Sequence, residues 1–393
     1  MPKKKDGFDR RGVLNISISH FIHDIYTAFL APALPILIEK IGMSYGLAGL
    51  LSVIQRIPSL FNPLIGMIAE KPFMRTLIIL SPSITAVSMS LIGVAPGYVF
   101  LAILLFVSGL SSTFWHIPTP VMIKQLSGSR TGKGMSYYMV GGELARTVGP
   151  LLIMGVISLW GIEGSWKMIP FGLFASLNLF LNFRKISIKT APAVQASPEG
   201  NYRAIFKRYF PAFMLTGGFT LFQSGMKGAL TFYLPTFLTS EGYTIQFADL
   251  ALTLLQLAGA AGALASGSLS DFLGRKRTLL IISISSPLLM LLFLNLSSFW
   301  IFAVLVPLGF FLFAPVSVMM AVVQDLNTEK KAFVNAIYMT INFFINALIT
   351  PLVGVISDHY GFYTSYYLFA FVAFGAAGIV IFTGKKLNPL TGN

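Results

Sequence analysis

Long apolar segments follow one another along the chain and are separated by short stretches that carry charge, proline or glycine. A helix needs about 20 apolar residues to cross a hydrocarbon layer about 30 Å thick, and each segment is long enough to supply them. We therefore predict twelve membrane-spanning helices, at residues 13–38, 45–69, 75–94, 98–123, 134–159, 166–183, 209–238, 247–269, 277–296, 299–325, 332–357 and 362–383.

The composition supports this interpretation. Hydrophobic residues make up 55% of the chain and charged residues 11%, and the mean hydropathy is +0.76. These values exclude a soluble domain, and 393 residues leave no room for a large domain besides twelve spans. Cysteine is absent, which excludes disulfides and thiolate metal sites, and we expect neither a metal nor a cofactor.

Basic residues are concentrated in every second connection between the predicted helices. Starting from Lys3, Lys4 and Lys5, these connections hold most of the 28 lysines and arginines, whereas the alternate ones hold only Lys40 and Lys167. Because positively charged loops stay in the cytoplasm, the asymmetry predicts that both termini are cytoplasmic. The basic residues behind the net charge of +14 then orient the helices in the membrane. We therefore expect the chain to contact a lipid bilayer and not a nucleic acid. The expected location is the cytoplasmic membrane of a prokaryote.

One long polar connection divides the predicted helices six and six. Residues 184–208 are rich in Ala, Pro and Ser and form a linker between an N-terminal bundle, 1–183, and a C-terminal bundle, 209–393. A weak repeat relates the halves: Leu34-Pro35 and Gly42 correspond to Leu234-Pro235 and Gly242. We therefore predict two six-helix bundles in parallel repeat.

Several ionisable residues lie well inside the predicted helices, where an uncompensated charge costs about 2.5–3.5 kcal/mol. They are Asp24, Arg56, Glu143, Arg146 and Lys227, with the histidines His20, His23 and His116. The helices that carry them are those expected to line a central cavity. We therefore expect these residues to be paired or to face a water-filled path.

The first predicted helix carries the densest polar group. His20, His23 and Asp24 lie on one side of it, and Asp24 is about 17 Å from its start, near the middle of the bilayer. A carboxylate at that depth needs a partner or a proton. We predict that Asp24 takes up and releases a proton together with His23 or Glu143, and that His20 and His116 are further proton-coupling candidates.

Two of these candidates have a second interpretation. Glu143 and Arg146 are three residues apart on one helix, so they could form a purely architectural ion pair. His116 is followed by Pro118 and Pro120, which free backbone carbonyls, and it either carries a proton or donates to one of those carbonyls. The sequence leaves both pairs of alternatives open.

Lys227 lies in the second half, where the acidic residues Asp249, Asp271 and Asp325 fall near helix ends and not near the middle of the membrane. By the repeat it corresponds to Thr27, on the face of Asp24. Lys227 therefore either meets Asp24 or binds an anionic substrate.

The basic residues determine the substrate that we expect. Two intramembrane acids against three bases leave the cavity with a charge of about +1, which favours an anionic or zwitterionic small molecule. We assign Arg56, Arg146 and Lys227 to substrate binding. Asn342 and Asn346 either bond neighbouring helices or contact the substrate, and Gln223 is a further candidate.

The connection between the eighth and ninth predicted helices carries the most specific motif. It runs from Gly267 to Arg277 and reads GSLSDFLGRKR. It closely resembles the loop motif of the major facilitator superfamily, where the motif latches the two bundles on the inner side. The resemblance implies a gating role for Gly267, Asp271, Gly274 and Arg275, and a weaker one for Glu70 in a degraded first-half copy.

Further motifs resemble the fosmidomycin-resistance family of that superfamily. They are Ser19 to Asp24, Gly109 to Phe114, Gly141-Gly142 with Gly149-Pro150, Thr231 to Leu234, and Gln324-Asp325. The resemblance implies proton-driven drug export, with His20 and Asp24 as proton-coupling or substrate residues. The chain departs from the family pattern at Glu143, where asparagine is typical, and Arg56, Arg146 and Lys227 look like additions.

We therefore predict an all-α membrane protein that works as a monomeric secondary transporter by alternating access. Its expected function is proton-coupled export of a small organic anion or an amphipathic drug-like compound. Proton-coupled uptake uses the same residues, and a flippase for an anionic lipid-linked molecule is a third alternative. We expect no enzymatic activity, because the sequence contains no nucleophile–base spacing, metal cluster or phosphate-binding loop.

Overall fold

A computed structural model describes residues 7–62, 65, 72–128, 130–183, 202–326 and 331–387, and the regular structure in this part of the chain is helical. The helices are α1 (Arg10–Thr27), α2 (Leu30–Ile41), α3 (Tyr45–Arg56), α4 (Pro72–Ser90), α5 (Tyr98–His116), α6 (Thr119–Ser127), α7 (Thr131–Trp160), α8 (Ile169–Phe183), α9 (Tyr202–Phe232), α10 (Leu234–Ser240), α11 (Ile245–Leu273), α12 (Arg275–Leu294), α13 (Trp300–Phe313), α14 (Pro315–Asp325), α15 (Lys331–Ala373) and α16 (Gly375–Leu387).

Eight stretches of the described residues are long and apolar enough to cross a membrane. They are Arg10–Ile41, Phe73–Val94, Tyr98–His116, Gly134–Trp160, Ile245–Leu273, Arg275–Leu294, Trp300–Val323 and Ile337–Thr383. The last covers two predicted helices, and Gly361 interrupts it with a positive φ of 79°. The all-helical class is confirmed, whereas the count of twelve spans and the cytoplasmic termini stay predictions.

The chain forms two compact units. Unit 1 holds the described residues up to Met43 and from Leu51 to Phe183, and unit 2 holds Ser44–Leu50 and the described residues from Tyr202 onward. Most of the predicted linker, at 184–201, lies outside the described residues, and so does Glu70.

The repeat seen in the sequence corresponds to a repeated helix ending. Gly42 and Gly242 have positive φ values of 70° and 85°, which glycine adopts without steric cost. The residue after each glycine donates its backbone N–H to the carbonyl oxygen five residues earlier. The N···O distance is 3.3 Å from Met43 to Ile38 and 3.1 Å from Tyr243 to Leu238. This six-to-one hydrogen bond is the Schellman ending of a helix, and it occurs at the same place in both halves.

Small residues bring α1 and α7 together in unit 1. A Cβ atom at Gly141 would lie 2.6 Å from the carbonyl oxygen of Ser17, and one at Gly149 would lie 2.8 Å from that of Ile25. Side chains at these positions would force the two helices apart. The Gly-Gly and Gly-Pro motifs of α7 therefore position α1, which carries the densest polar group.

Candidate functional site

The histidines and the aspartate predicted to bind protons form one cluster in unit 1. His20, His23 and Asp24 lie on α1 and are buried, with at most 4% of each residue exposed. His116 reaches the cluster from the end of α5, and its side chain is 38% exposed. The cluster therefore has a buried end at His23 and a partly exposed end at His116.

Asp24 is at the centre of this cluster. Its Oδ1 lies 2.8 Å from Nδ1 of His23 and 3.4 Å from Nε2 of His116, and its Oδ2 lies 3.2 Å from Nε2 of His20. The two Nε2 atoms of His20 and His116 are 3.3 Å apart. Three imidazole rings therefore surround one carboxylate.

Backbone carbonyls determine which nitrogen of two rings carries hydrogen. Nδ1 of His20 lies 2.8 Å from the carbonyl oxygen of Tyr138, and Nδ1 of His116 lies 2.9 Å from that of Ser112. A carbonyl oxygen only accepts, so each Nδ1 must donate. In their neutral forms both rings then direct a bare Nε2 lone pair at each other and at Asp24, which is repulsive unless a cation or proton lies between them.

A chain of hydroxyl groups determines which nitrogen of the third ring, that of His23, carries hydrogen. Ser111 donates to the carbonyl oxygen of Ser81 at 2.9 Å, and Thr85 donates to Ser111 at 2.8 Å. The hydroxyl hydrogen of Thr85 is then used, so Nε2 of His23, 3.0 Å away, must be the donor to Thr85.

The remaining contact of His23 therefore requires an additional proton. With Nε2–H donated to Thr85, a neutral His23 presents a bare Nδ1 to Asp24 at 2.8 Å. A hydrogen bond forms there only if Asp24 is a neutral acid or His23 is a cation. Either way the pair holds one proton more than a neutral ring beside an ionised carboxylate.

The absence of a side chain at position 142 makes room for the cluster. A Cβ atom at Gly142 would lie 2.7 Å from Cε1 and 3.1 Å from Nε2 of His20, and 3.4 Å from Oδ2 of Asp24. The ring of Tyr138 stacks on His20 with centroids 3.9 Å apart. Glycine at 142 and tyrosine at 138 together fix the plane of the His20 ring.

Three groups of this cluster also have the spacing of metal ligands. His20, Asp24 and His116 place one donor atom each within 4.8 Å of one another. In such a group a proton and a divalent cation compete for the same lone pairs. The expectation that the protein needs no metal stays a prediction.

The other charges predicted in the first half lie close to this cluster. Nη1 of Arg146 lies 3.1 Å from Oε1 of Glu143, so the two form an ion pair along α7. Arg146 also acts electrostatically on Arg56 and on His116. The structure thus brings together every intramembrane charge predicted in the first half, with Arg56 and Arg146 exposed.

Unit 2 contains a cavity that is lined by the substrate-binding residues predicted in the second half. Lys227, Gln223, Asn342 and Asn346 all line it. Lys227 places Nζ 5.1 Å from the centre of the Phe313 ring. The predicted contact of Lys227 with Asp24 would join the two units and stays a prediction.

The amides in this cavity also make hydrogen bonds within unit 2. Thr220 of α9 donates to Oδ1 of Asn342 on α15 at 2.8 Å, and Asn346 donates to the carbonyl oxygen of Asn342 at 2.7 Å. Gln223 is 7% exposed and accepts from the hydroxyl of Ser286 at 3.3 Å. Asn342 therefore links two helices and lines the cavity, and Gln223 is held by protein atoms.

The predicted gating motif forms a bridge around Arg275. Arg275 pairs with Asp271, donates to the hydroxyl of Ser270, and binds Oδ2 of Asp325 at 3.0 Å through Nε. Gly274 separates α11 from α12 with a positive φ of 86°. Asp325 joins α14 to this bridge and was not among the predicted gating residues.

The residues that the sequence analysis missed are partners supplied by distant helices. Tyr138, Thr85 and Ser111 complete the cluster around Asp24, and Thr220 and Tyr338 complete the lining of the cavity. Threonine, serine and tyrosine occur throughout the apolar segments, so their type and spacing alone do not distinguish these five.

The helical architecture and the paired polar sites are those of a membrane transporter. The chain belongs to the Major Facilitator Superfamily, whose sequence profile matches residues 16–251 and 242–391. It is therefore a membrane-spanning transporter of this superfamily and not a member of an enzyme family.

Particular relatives match over nearly the whole chain. The fosmidomycin resistance protein of Escherichia coli (strain K12) is 23% identical over 92% of this chain and 90% of its own length. The uncharacterized MFS-type transporter YfnC of Bacillus subtilis (strain 168) is 23% identical over 95% of this chain and 93% of its own length. The resemblance to the fosmidomycin-resistance family is confirmed.

Solved structures share the fold at low sequence identity. A bacterial homolog of the human lysosomal transporter Spinster, in an inward-facing and unoccupied conformation, superposes with a TM-score of 0.76 at 14% identity, covering 99% of this chain and 98% of that one. A D-xylose–proton symporter superposes with a TM-score of 0.73 at 14% identity, covering 94% of this chain and 96% of that one.

Proposed function

We propose that this protein is a proton-coupled antiporter that exports a small organic anion across the cytoplasmic membrane of a prokaryote. The observation that carries the proposal is the count of hydrogens around Asp24. Its contact with His23 needs one additional proton, and the facing Nε2 atoms of His20 and His116 need a second cation or proton. A group of this kind in a transporter is suited to load and unload protons during transport.

The route of the proton runs along the cluster. His116 is the partly exposed member and His23 the buried one, with Asp24 between them. A proton that enters at His116 reaches Asp24 over 3.4 Å and His23 over a further 2.8 Å. Glu143, whose side chain is 29% exposed and which is paired with Arg146, is the remaining acid that can exchange protons near this route.

The anionic character of the substrate is supported by the cavity of unit 2. Lys227 supplies a positive charge to a lining that otherwise consists of amides, hydroxyls, aromatic rings and apolar side chains. An ammonium group with amide donors beside it suits a carboxylate or phosphonate, and Phe219 and Tyr338 offer apolar surface for the rest of the molecule. In unit 1, Arg56 and Arg146 add positive charge.

Export is favoured over uptake by the relative named for fosmidomycin resistance, which matches nearly the whole chain. Uptake by proton symport is the second candidate, because a D-xylose–proton symporter shares the fold.

The test uses purified protein in acid-inside liposomes that contain a pH-sensitive dye, in buffer with a metal chelator. The probes added outside are fosmidomycin, small carboxylates, and cationic drugs. Antiport predicts that an entering anion drives protons out, so the lumen becomes more alkaline. Acidification on adding the anion would instead establish symport, and a response to cations alone would exclude the anion-binding role of Lys227.

A further inference from the structure

Asp249 is a buried acid of unit 2 that takes no part in the sites described above. It lies near the start of α11, five residues after Thr244, which caps the helix by accepting from the amide of Phe247. No part of Asp249 is exposed. The sequence analysis placed it near a helix end, and the structure buries its side chain there.

Neither carboxyl oxygen of Asp249 has a hydrogen-bond partner among the described residues. Its backbone carbonyl oxygen accepts from the hydroxyl of Thr253 at 2.8 Å, so the backbone of this turn is satisfied while the side chain is not. An ionised carboxylate in that environment would lose its hydration and gain nothing in return. A neutral carboxylic acid avoids most of this cost.

Among the described side chains, the helices that pack most closely against α11 offer no counter-charge at this level. α13 and α10 contain no titratable residue, and the other neighbours α9, α12 and α14 carry theirs at other levels. These groups are Arg203, Lys207, Arg208, Tyr209, Lys227, Arg275, Lys276, Arg277 and Asp325. In the connecting turn before α11, Glu241 is exposed, and Tyr243 stacks on Phe247 and accepts from the amide of Ser298.

Helix α13 shows how far these charges are from Asp249. Phe247 contacts Phe302 near the start of α13, with ring centroids 4.4 Å apart, whereas Lys227 lies over Phe313 at its end. Eleven residues of helix separate Phe302 from Phe313, which is about 16 Å. Arg275 follows the far end of α11, about 36 Å from Asp249 along the helix axis.

We propose that Asp249 is a second proton-binding site of this protein and that it holds a proton in this conformation. It lies in unit 2, whereas the cluster around Asp24 lies in unit 1. Asp249 is only about 6 Å along the axis from the start of α11, so a small opening of the first turn admits water and releases the proton. With both sites occupied, the transporter carries more than one titratable proton.

Infrared spectroscopy tests this directly and needs no substrate. Spectra of the purified wild type and of Asp249→Asn are recorded from mildly acidic to alkaline pH, and Asp271→Asn, which removes an exposed acid, is the control. We expect the wild type minus Asp249→Asn difference to contain the carbonyl stretch of a protonated carboxyl group at neutral pH. A difference that contains only carboxylate bands at neutral pH, as expected for the control, would overturn the proposal.

Thermal unfolding provides a second readout. The folded protein holds a proton at Asp249 that the unfolded chain has already released above about pH 4, so the wild type loses stability as the pH rises above that value. Asparagine mimics the neutral acid, so we expect Asp249→Asn to lose less stability than the wild type as the pH rises. The expected difference between the two proteins in this loss is about 2–4 °C in Tm at alkaline pH. Parallel pH profiles for the two proteins would contradict the proposal. If Asp249→Asn does not fold, Asp249→Leu replaces it, and parallel profiles would again contradict the proposal.

Discussion

Nε2 of His20 faces Nε2 of His116 at 3.3 Å, while the Nδ1 atom of each ring is bonded to a backbone carbonyl. Two neutral imidazoles cannot make a hydrogen bond in this arrangement, because neither has a hydrogen at Nε2 to donate. The backbone of Tyr138 and Ser112 thus prepares a site that is complete only with an added proton or cation.

The first prediction concerns the space beside His20. Gly142→Ala would place a methyl group 2.7 Å from Cε1 of His20, so the ring must turn away from Asp24. We expect a loss of about 1–3 kcal/mol in stability and at least a severalfold slower proton-coupled transport. Gly155→Ala is the matched control on the same helix, because nothing lies within 4 Å of its Cβ position. Equal effects of the two substitutions would show that the helix backbone, not the His20 ring, is affected.

The second prediction concerns the cavity of unit 2. Lys227→Ala removes the ammonium group from the lining, and a lost charge-assisted hydrogen bond costs about 1.5–3 kcal/mol. The apparent affinity for an anionic substrate should therefore fall about 10- to 100-fold, as measured by the concentration dependence of transport. Lys207→Ala, which removes an exposed charge outside the cavity, should leave affinity unchanged. An unaltered affinity in Lys227→Ala would exclude its role in substrate binding.

The third prediction separates the two acids that bind Arg275. The side chain of Asp325 is 35% exposed and that of Asp271 is 67% exposed, so solvent weakens the Asp271 pair more. Asp325→Asn should therefore lower Tm more than Asp271→Asn, although each effect stays within about 1 kcal/mol. Thermal unfolding of both variants and of the double variant measures this. A larger effect from Asp271→Asn would assign the principal contact to the acid predicted from the motif.

The sequence predicted the part of the proposed proton site that lies on one helix. The spacing of His20, His23 and Asp24 placed them on one side of α1, and a carboxylate at mid-membrane depth required a partner. His116 was a candidate because of its neighbouring prolines, but its contact with His20 spans 96 residues of sequence. Such a contact depends on how α1 and α5 pack, which residue spacing within each helix does not determine.

Other features depended on packing alone. Gly142 belonged to a recognisable motif, yet its function as space for the His20 ring follows only from the close approach of α7 to α1. Asp249 was placed near a helix end by the sequence, and the neighbouring helices bury it completely. Gly42 and Gly242, by contrast, were predictable as a pair, because a helix ending of this type requires a local backbone conformation that glycine favours.

The most direct test of the proton site compares the wild type with Asp24→Asn in acid-inside liposomes, with Glu39→Gln as a control for loss of an exposed acid. Two quantities are measured for the same anionic probe: the change in lumenal pH, and the exchange of labelled for unlabelled probe without a pH gradient. Asparagine cannot release a proton, so Asp24→Asn should lose the pH response and keep the exchange. A wild-type pH response in Asp24→Asn would contradict the account and place the coupled proton on another residue.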